Sequence, residues 1–306
     1  MTMTPESPNT LSETIFAGDS EMAALMRTLD WSQTLLNPVS GWAQSLKTAV
    51  SILLHSRFPM FIWWGRELAA LYNDAYRPML GASKHPQFLG KSAKEQWAEI
   101  WDTVETLTDT VLNTGQPTWS EDLLLMMERN GYLEEAYFTF SYSPVHDESG
   151  GVGGIFAAVS ETTKQIIGER RLRTLRELGA NTAVAKTVEE ACELTTTTLS
   201  ANSRDIPFAL LYLVETDGQR THLVATTTNI EAGTIASPRQ VDLTQETNFW
   251  HLAEVNRSRT ATIVTNLTEK FGELPGGAWS DSPNSALVVP IAKAGHKQQL
   301  AGFLSS

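Results

Sequence analysis

A single cysteine, Cys192, stands among the 306 residues, so no internal disulfide and no multi-cysteine zinc or iron–sulfur centre can form. Basic residues are also scarce. Against 35 acidic side chains there are 23 lysines and arginines, a net charge of −12, and such a field repels phosphate backbones and anionic lipid. No nucleic-acid partner and no membrane partner is expected. Long apolar runs are missing too: the most hydrophobic stretch, residues 50–64, is broken by His55, Arg57 and Pro59, short of the roughly 20 uninterrupted apolar residues of a spanning helix. Residues 1–10 lack the basic start and apolar run of a secretory signal. These absences together point to a cytoplasmic chain.

Chemistry-bearing motifs are absent as well. The six histidines (55, 85, 146, 222, 251 and 296) are scattered with no helix-face metal spacing, so no metal is expected. No G-x-x-x-x-G-K-[ST] phosphate loop and no G-x-S-x-G nucleophile elbow occurs. The glycine-rich run Gly150–Gly154 leads into a strand pattern, where a hairpin turn explains it better than a phosphate cradle. Two adjacent carboxylate pairs, Glu121-Asp122 and Glu134-Glu135, lie on strand patterns that send neighbours to opposite faces, so they read as solvated edges. Cys192, flanked by Glu189, Glu190 and Glu193 on a helical pattern, reads as a packed cysteine with a raised pKa. With no catalytic residue nominated, no enzyme is expected within these residues.

What is present is enough for two domains, since ordinary globular composition over 306 residues is about twice a typical domain. Charge and tryptophan both break near residue 165. Residues 1–165 carry 20 acidic and 10 basic groups, whereas residues 166–306 carry 15 and 13. Seven of nine tryptophans precede residue 120, placing the large aromatic packing in the first half.

In that half, helical spacing predicts a helix through Met22–Leu29 after Gly18-Asp19-Ser20, and another over 41–55. Phe58–Gly65 and Glu67–Tyr72 read as a hairpin. Asn73-Asp74 opens a short helix closed by Gly81, and one long helix is predicted from about Ala93 to Asn113, closed by Gly115. Thr118–Glu128, Glu134–Pro144 and Val152–Val159 then alternate as strands. Trp63, Tyr72, Tyr76, Trp97, Trp101, Phe138, Phe140 and Tyr142 fall on elements able to enclose one sheet face. They are either the wall of an apolar ligand pocket or a solid core.

A helix is predicted over 166–185, with Leu172, Leu175 and Leu178 along one side among Arg170, Arg171, Arg173 and Arg176. It either packs on its own domain or pairs with a second copy. Beyond it come a helix at Val188–Ser200, strands at Phe208–Glu215 and Thr221–Thr228, a helix near Asn248–Asn256, and strands at Ala261–Asn266, Ser285–Ala292 and Leu300–Leu304. Thr268–Asn284 reads as a long loop.

The run Tyr72-Asn-Asp-Ala-Tyr-Arg-Pro-Met-Leu-Gly81, followed by His85-Pro-Gln-Phe-Leu-Gly-Lys91, resembles a PAS sensory domain over about residues 45–165. Where that family closes its last strand with Asp-x-Thr, this chain has Glu161-Thr162-Thr163. Phe208–Leu213, Ser285–Ile291 and Ala301–Leu304 resemble a GAF domain. GAF domains normally carry a further strand segment and a closing helix, so this one is expected to be incomplete at its C-terminus.

The resemblance implies an α+β architecture of two tandem domains, each a mainly antiparallel sheet flanked by helices. Their order is a helical N-terminal extension (1–44), a PAS-like domain (45–165), a connecting signalling helix (166–186) and a GAF-like domain (187–306). PAS–GAF tandems resemble input regions of bacterial sensor histidine kinases in two-component systems, less often of diguanylate cyclases or phosphatases. The expected function is therefore sensory: a small ligand or partner is detected and a conformational change passes to a downstream kinase or other output domain. The alternative is a ligand-free dimerisation scaffold. Pocket residues under this reading are Trp63, Tyr72, Tyr76, Trp101, Phe138 and Phe140, with Glu161 and Thr163 coupling them outward. The PAS-like region lacks the cysteine of flavin-adduct light sensors and a histidine on its long helix, and Cys192 lies off the bilin-attachment loop. No covalent chromophore and no fixed cofactor is expected, though a non-covalent small ligand fits, and a homodimer through the connecting helix is expected.

Overall fold

The computed structural model describes residues 8–227, 229–245, 250–293 and 296–306, and the chain divides into two compact units, Met1–Ile166 and Ile167–Ser306. The first contains strands β1 (Met60–Trp64), β2 (Ala69–Tyr72), β3 (Thr118–Glu128), β4 (Leu133–His146) and β5 (Val152–Glu161), in the antiparallel order β2-β1-β5-β4-β3. Period-two alternation sets its faces. Ala136, Phe138, Phe140 and Tyr142 of β4, with Ile155, Ala157 and Val159 of β5, are all buried. The glycine-rich run is indeed a turn and strand entry: a Cβ on Gly154 would come within 2.5 Å of the Trp63 carbonyl oxygen, so glycine is what lets β5 lie against β1.

Helices α1 (Pro8–Ile15), α2 (Glu21–Thr28), α3 (Gln44–His55), α4 (Arg77–Lys84), α5 (Ala93–Gln96) and α6 (Trp101–Thr114) complete the unit. The N-terminal extension shares the sheet's core, since Phe16, Met22, Trp31 and Trp42 belong to the same buried cluster as β1 and β5. Trp31 and Trp42 pack edge-on at 4.9 Å and donate their indole N–H groups to the carbonyls of Met26 and Asn37.

The long helix predicted over 93–113 is two helices. Lys84 Nζ donates to the Gln96 carbonyl at 2.7 Å and sits 3.9 Å from the Trp97 ring centre, terminating α5 before α6 restarts at Trp101. Gly115 closes α6 in the left-handed conformation, φ 67° and ψ 12°, as its sequence position predicts. Trp119, counted among the packing aromatics, is 64% exposed on the edge strand β3.

Helix α7 (Thr163–Ala183) starts three residues earlier than predicted, directly after β5. The second unit continues with α8 (Val188–Ser200), β6 (Leu210–Val214), β7 (Arg220–Thr226), β8 (Gln240–Asp242), α9 (Leu252–Ser258), β9 (Thr262–Thr265), α10 (Leu267–Phe271), β10 (Ser285–Lys293) and β11 (His296–Ser305). Its antiparallel sheet runs β8-β7-β6-β11-β10-β9. The predicted loop 268–284 begins inside α10, because Leu267 is fully buried and Phe271 stacks on Trp250 at 4.4 Å. The helix predicted near 248–256 begins at Leu252; residues 246–249 lie outside the described residues.

Asp205 fixes α7 within this unit. Its carboxylate receives Arg170 Nε at 2.8 Å, Arg170 Nη2 at 2.9 Å and Arg171 Nε at 3.3 Å, while Asn202 Nδ2 bridges it to Thr174 Oγ1. The hydrogen bond from Arg170 is the largest influence and, against burial, brings the Asp205 pKa down to about 2. An unfolded aspartate titrates near about 3.9, so the depressed folded value gives stability present above about pH 4 and lost as pH falls through 2. Asp205→Asn is expected to be less stable than wild type at pH 6, with the gap narrowing toward pH 2, as followed by urea denaturation of the second unit; a gap constant with pH would contradict the ion-pair account.

Candidate functional site

The sheet of the first unit and the helices facing it enclose a small cavity of about 30 Å³. Its wall contains Trp63, Tyr76, Phe138 and Phe140 from the predicted set, together with Phe61, Met79, Trp97, Ile100, Leu125, Met127, Tyr142 and Val159. Two predicted residues are not in the wall. Tyr72 is spent on a neighbouring network, its hydroxyl 3.0 Å from His85 Nδ1. Trp101 lies behind Trp63, with ring centres 5.8 Å apart, and donates its N–H to Glu105. At 30 Å³ the space admits a water or two, well below the roughly 300 Å³ of a preformed ligand pocket. The aromatic side chains themselves nearly fill it.

Three features position this wall. Asn73, 1% exposed, makes five side-chain hydrogen bonds: Nδ2 donates to the carbonyls of Leu53, Ser56 and Phe58, and Oδ1 accepts from the N–H groups of Met60 and Tyr76. It thereby ties the end of α3 and the start of β1 to the turn carrying Tyr76. Asp74, in the same turn, accepts the Glu21 N–H at 3.0 Å and so caps α2 from outside. Gly81 breaks α4 with φ 65° and ψ −177°, and a Cβ there would meet the Arg129 carbonyl oxygen at 2.3 Å. No other residue type fits that approach.

Arg129 is the centre of an ion-pair network that includes Glu161, and sequence reasoning assigned it only to a turn. Its guanidinium is bidentate to Glu161, Nη1 at 2.9 Å and Nη2 at 3.1 Å, and bidentate to Glu134 at 3.2 and 3.3 Å. Glu134 is thus an ion-pair partner and Glu135 is 8% exposed, which corrects the reading of that pair as a solvated edge. A signal for the pairing existed: Arg129 is the lone lysine or arginine between Lys94 and Lys164 in a strongly acidic stretch.

Glu161 and Thr163 meet at the start of α7. Thr163 Oγ1 donates to Glu161 Oε1 at 2.9 Å and accepts the Tyr137 N–H at 2.9 Å. Thr162 Oγ1 donates to Asp122 Oδ1 at 2.6 Å, and Asp122 occupies a β3 bulge at φ 49°. Burial raises the Glu161 pKa, but the hydrogen bonds from Arg129 and Thr163 outweigh it and leave the carboxyl below its ordinary value. Burial also pushes the Tyr76 phenol upward, with the charge of Arg129 partly opposing it. The Arg129 charge thus reaches both Glu161 and one side chain of the cavity wall. Cys192 is buried, and burial followed by Glu189 and Glu193 raises its thiol pKa.

Residues 68–166, about a third of the chain, match the family model described as PAS fold. No curated protein matches the chain. Among solved structures it is similar to the GAF domain of a phosphoenolpyruvate-protein phosphotransferase from Acinetobacter, at 19% identity over 44% of this chain and 75% of that one, TM-score 0.32. A sensory box sensor histidine kinase from Vibrio cholerae aligns at 18% identity over 38% of this chain and 89% of its own, TM-score 0.27. The PAS domain of a Colwellia psychrerythraea protein aligns at 12% identity over 39% and 98%, TM-score 0.31. Each of the two units is a mainly antiparallel sheet flanked by helices, an α+β arrangement, and residues 68–166 of the first carry the PAS-fold match. No helix among the described residues is long and apolar enough to cross a membrane.

Proposed function

We propose that the chain is the cytoplasmic sensory input region of a bacterial signalling protein, non-enzymatic itself, that passes a change in the PAS core through α7 to an output domain. A histidine kinase of a two-component system is the output favoured by the resemblance; a diguanylate cyclase or phosphatase is the alternative. The observation supporting transmission is the ion pair of Arg129 with Glu161, joined by Thr163 where β5 becomes α7, with the Arg129 charge also felt by the Tyr76 phenol of the cavity wall. A ligand or partner that favours one arrangement of the wall would shift the population of this network.

The experiment is ATP-dependent autophosphorylation of the full-length gene product with Glu161→Gln. A change in basal output of about fivefold or more, with the fold retained, supports the reading. Unchanged output contradicts it. A full-length protein that instead makes a cyclic dinucleotide or releases phosphate assigns the other output classes.

The cavity's small volume favours a second reading, a ligand-free dimerisation scaffold. Either role uses a homodimer through α7, whose Leu172 and Leu175 are 54% and 66% exposed. Changing both to glutamate is expected to convert a dimer to a monomer in sedimentation equilibrium; a variant that remains dimeric removes α7 as the interface.

A further inference from the structure

One face of α7 belongs to its own unit. Thr174 on that face is buried, Leu178 is half-buried, and Arg170 is bound by Asp205. The opposite face carries Gly168, Leu172, Leu175 and Gly179, whose spacing of four, three and four residues keeps them in one stripe along the helix. Leu172 and Leu175 are exposed, and a Cβ on either glycine would meet nothing within 4 Å. A second helix can therefore come close at both glycines and cover the two leucines between them.

The stripe reads the same in both directions, so apolar packing alone does not choose between a parallel and an antiparallel second copy. The flanking charges do. With Leu172 and Leu175 at the two core positions of a heptad, Lys164, Arg171 and Leu178 flank the seam on one side, and Glu169, Arg176 and Ala183 on the other. A parallel partner sets each residue of the first group against the residue five further on. Lys164 then meets the partner's Glu169, but Arg171 meets the partner's Arg176, and each contact occurs twice. Asp205 does not cancel that clash, because its one carboxylate already serves both Arg170 and Arg171.

An antiparallel partner, with Leu172 against the partner's Leu175, sets each side of the seam against its own kind. Glu169 and Arg176 are both exposed, and Glu169 falls within about 3 Å, along the axis, of the level of the partner's Arg176. This attraction also occurs twice. Arg171 faces the partner's Leu178, and no two cations meet at the flanking positions.

We propose that the outward face of α7 is a self-recognition surface that pairs antiparallel with a second copy of the chain, Leu172 against the partner's Leu175 and Glu169 against the partner's Arg176. This deepens the reading of α7 as the homodimer contact and rests on it.

Arg176→Glu separates the two directions by the sign of its effect. In an antiparallel pair the new carboxylate faces the partner's Glu169; in a parallel pair it faces the partner's Arg171 and relieves the clash. Sedimentation equilibrium of the whole chain at low salt is expected to show the dimer weakened by at least about fivefold in Arg176→Glu, as two exposed pairs turn from attraction to repulsion. The double variant Glu169→Arg/Arg176→Glu is expected to return to within about threefold of wild type. Circular dichroism checks that each variant keeps its helix content. Disulfide trapping gives the geometry independently. In a Cys192→Ala background, which removes the native thiol, Gly168→Cys and Gly179→Cys are each expected to stay uncross-linked alone and to form a disulfide dimer when mixed. Tightening or no change in Arg176→Glu, a disulfide dimer from either variant alone, or none from the mixture overturns the antiparallel assignment while the α7 homodimer stands. A dimer that survives glutamate at both Leu172 and Leu175, or a chain monomeric at every concentration, overturns the homodimer reading and this one together.

Discussion

Asn73→Ala is expected to cost the first unit about 4 kcal/mol, because it strips five hydrogen bonds from one side chain and leaves several buried backbone groups short of partners, at about 1–3 kcal/mol for each left unsatisfied. On a unit of this size the melting temperature should fall by roughly 10 °C. Tryptophan fluorescence reports it selectively, since seven of the nine tryptophans precede residue 120. Asn73→Asp should not rescue: it keeps the acceptor for Met60 and Tyr76 but places an anion against the carbonyls of Leu53, Ser56 and Phe58. A loss below about 1 kcal/mol would mean that water or backbone movement replaces the Asn73 bonds.

Arg129→Met carries the second large effect. The guanidinium is 9% exposed and holds two carboxylates at once. Its removal leaves Glu134 and Glu161 facing each other partly buried, a change of about 3 kcal/mol at pH 7. The pH dependence distinguishes charge from packing. In the wild type the Glu161 pKa is lowered, so its contribution is present above the ordinary glutamate range and is lost as pH falls through the folded value. In the variant the uncompensated carboxylates are expected to titrate above that range, so the variant gains stability as they protonate. The difference between the two proteins should therefore shrink steadily from pH 7 to pH 4 in urea denaturation. A difference independent of pH would assign Arg129 a packing role alone.

The pattern of what the sequence disclosed follows from which interactions are local. Strand β4 alternates Phe138, Phe140 and Tyr142 with Thr139, Ser141 and Ser143, and the turns on either side of it carry Asn130-Gly131 and Gly150-Gly151, so both period and punctuation sit within a few residues. Glu161 and Thr163 came from the resemblance of Glu161-Thr162-Thr163 to the Asp-x-Thr strand ending, and the two side chains are hydrogen-bonded where β5 gives way to α7. The break between α5 and α6 was not legible, since Ala93, Trp97, Ile100, Trp101 and Val104 fit one continuous helical face and the cause of the break, Lys84, lies nine residues upstream of Ala93. Arg129 was missed for the same reason: its partner Glu161 is 32 residues away in sequence. Tyr72 and Trp101 were placed in the wall because their elements face the core. Which aromatic reaches the cavity depends on hydrogen bonds to His85 and Glu105 that no periodicity encodes.

In the proposed sensory mechanism the cavity wall and α7 are coupled through Arg129. Backbone hydrogen exchange across residues 163–170 measures it, in Trp63→Phe, in Val111→Ala as an equally buried position outside the wall, and in each combined with Arg129→Gln. Trp63→Phe is expected to accelerate exchange at the start of α7 by about fivefold, Val111→Ala is not, and the Trp63 effect is expected to disappear once Arg129 is glutamine. Equal acceleration by both single variants, or a Trp63 effect that persists without Arg129, would contradict it.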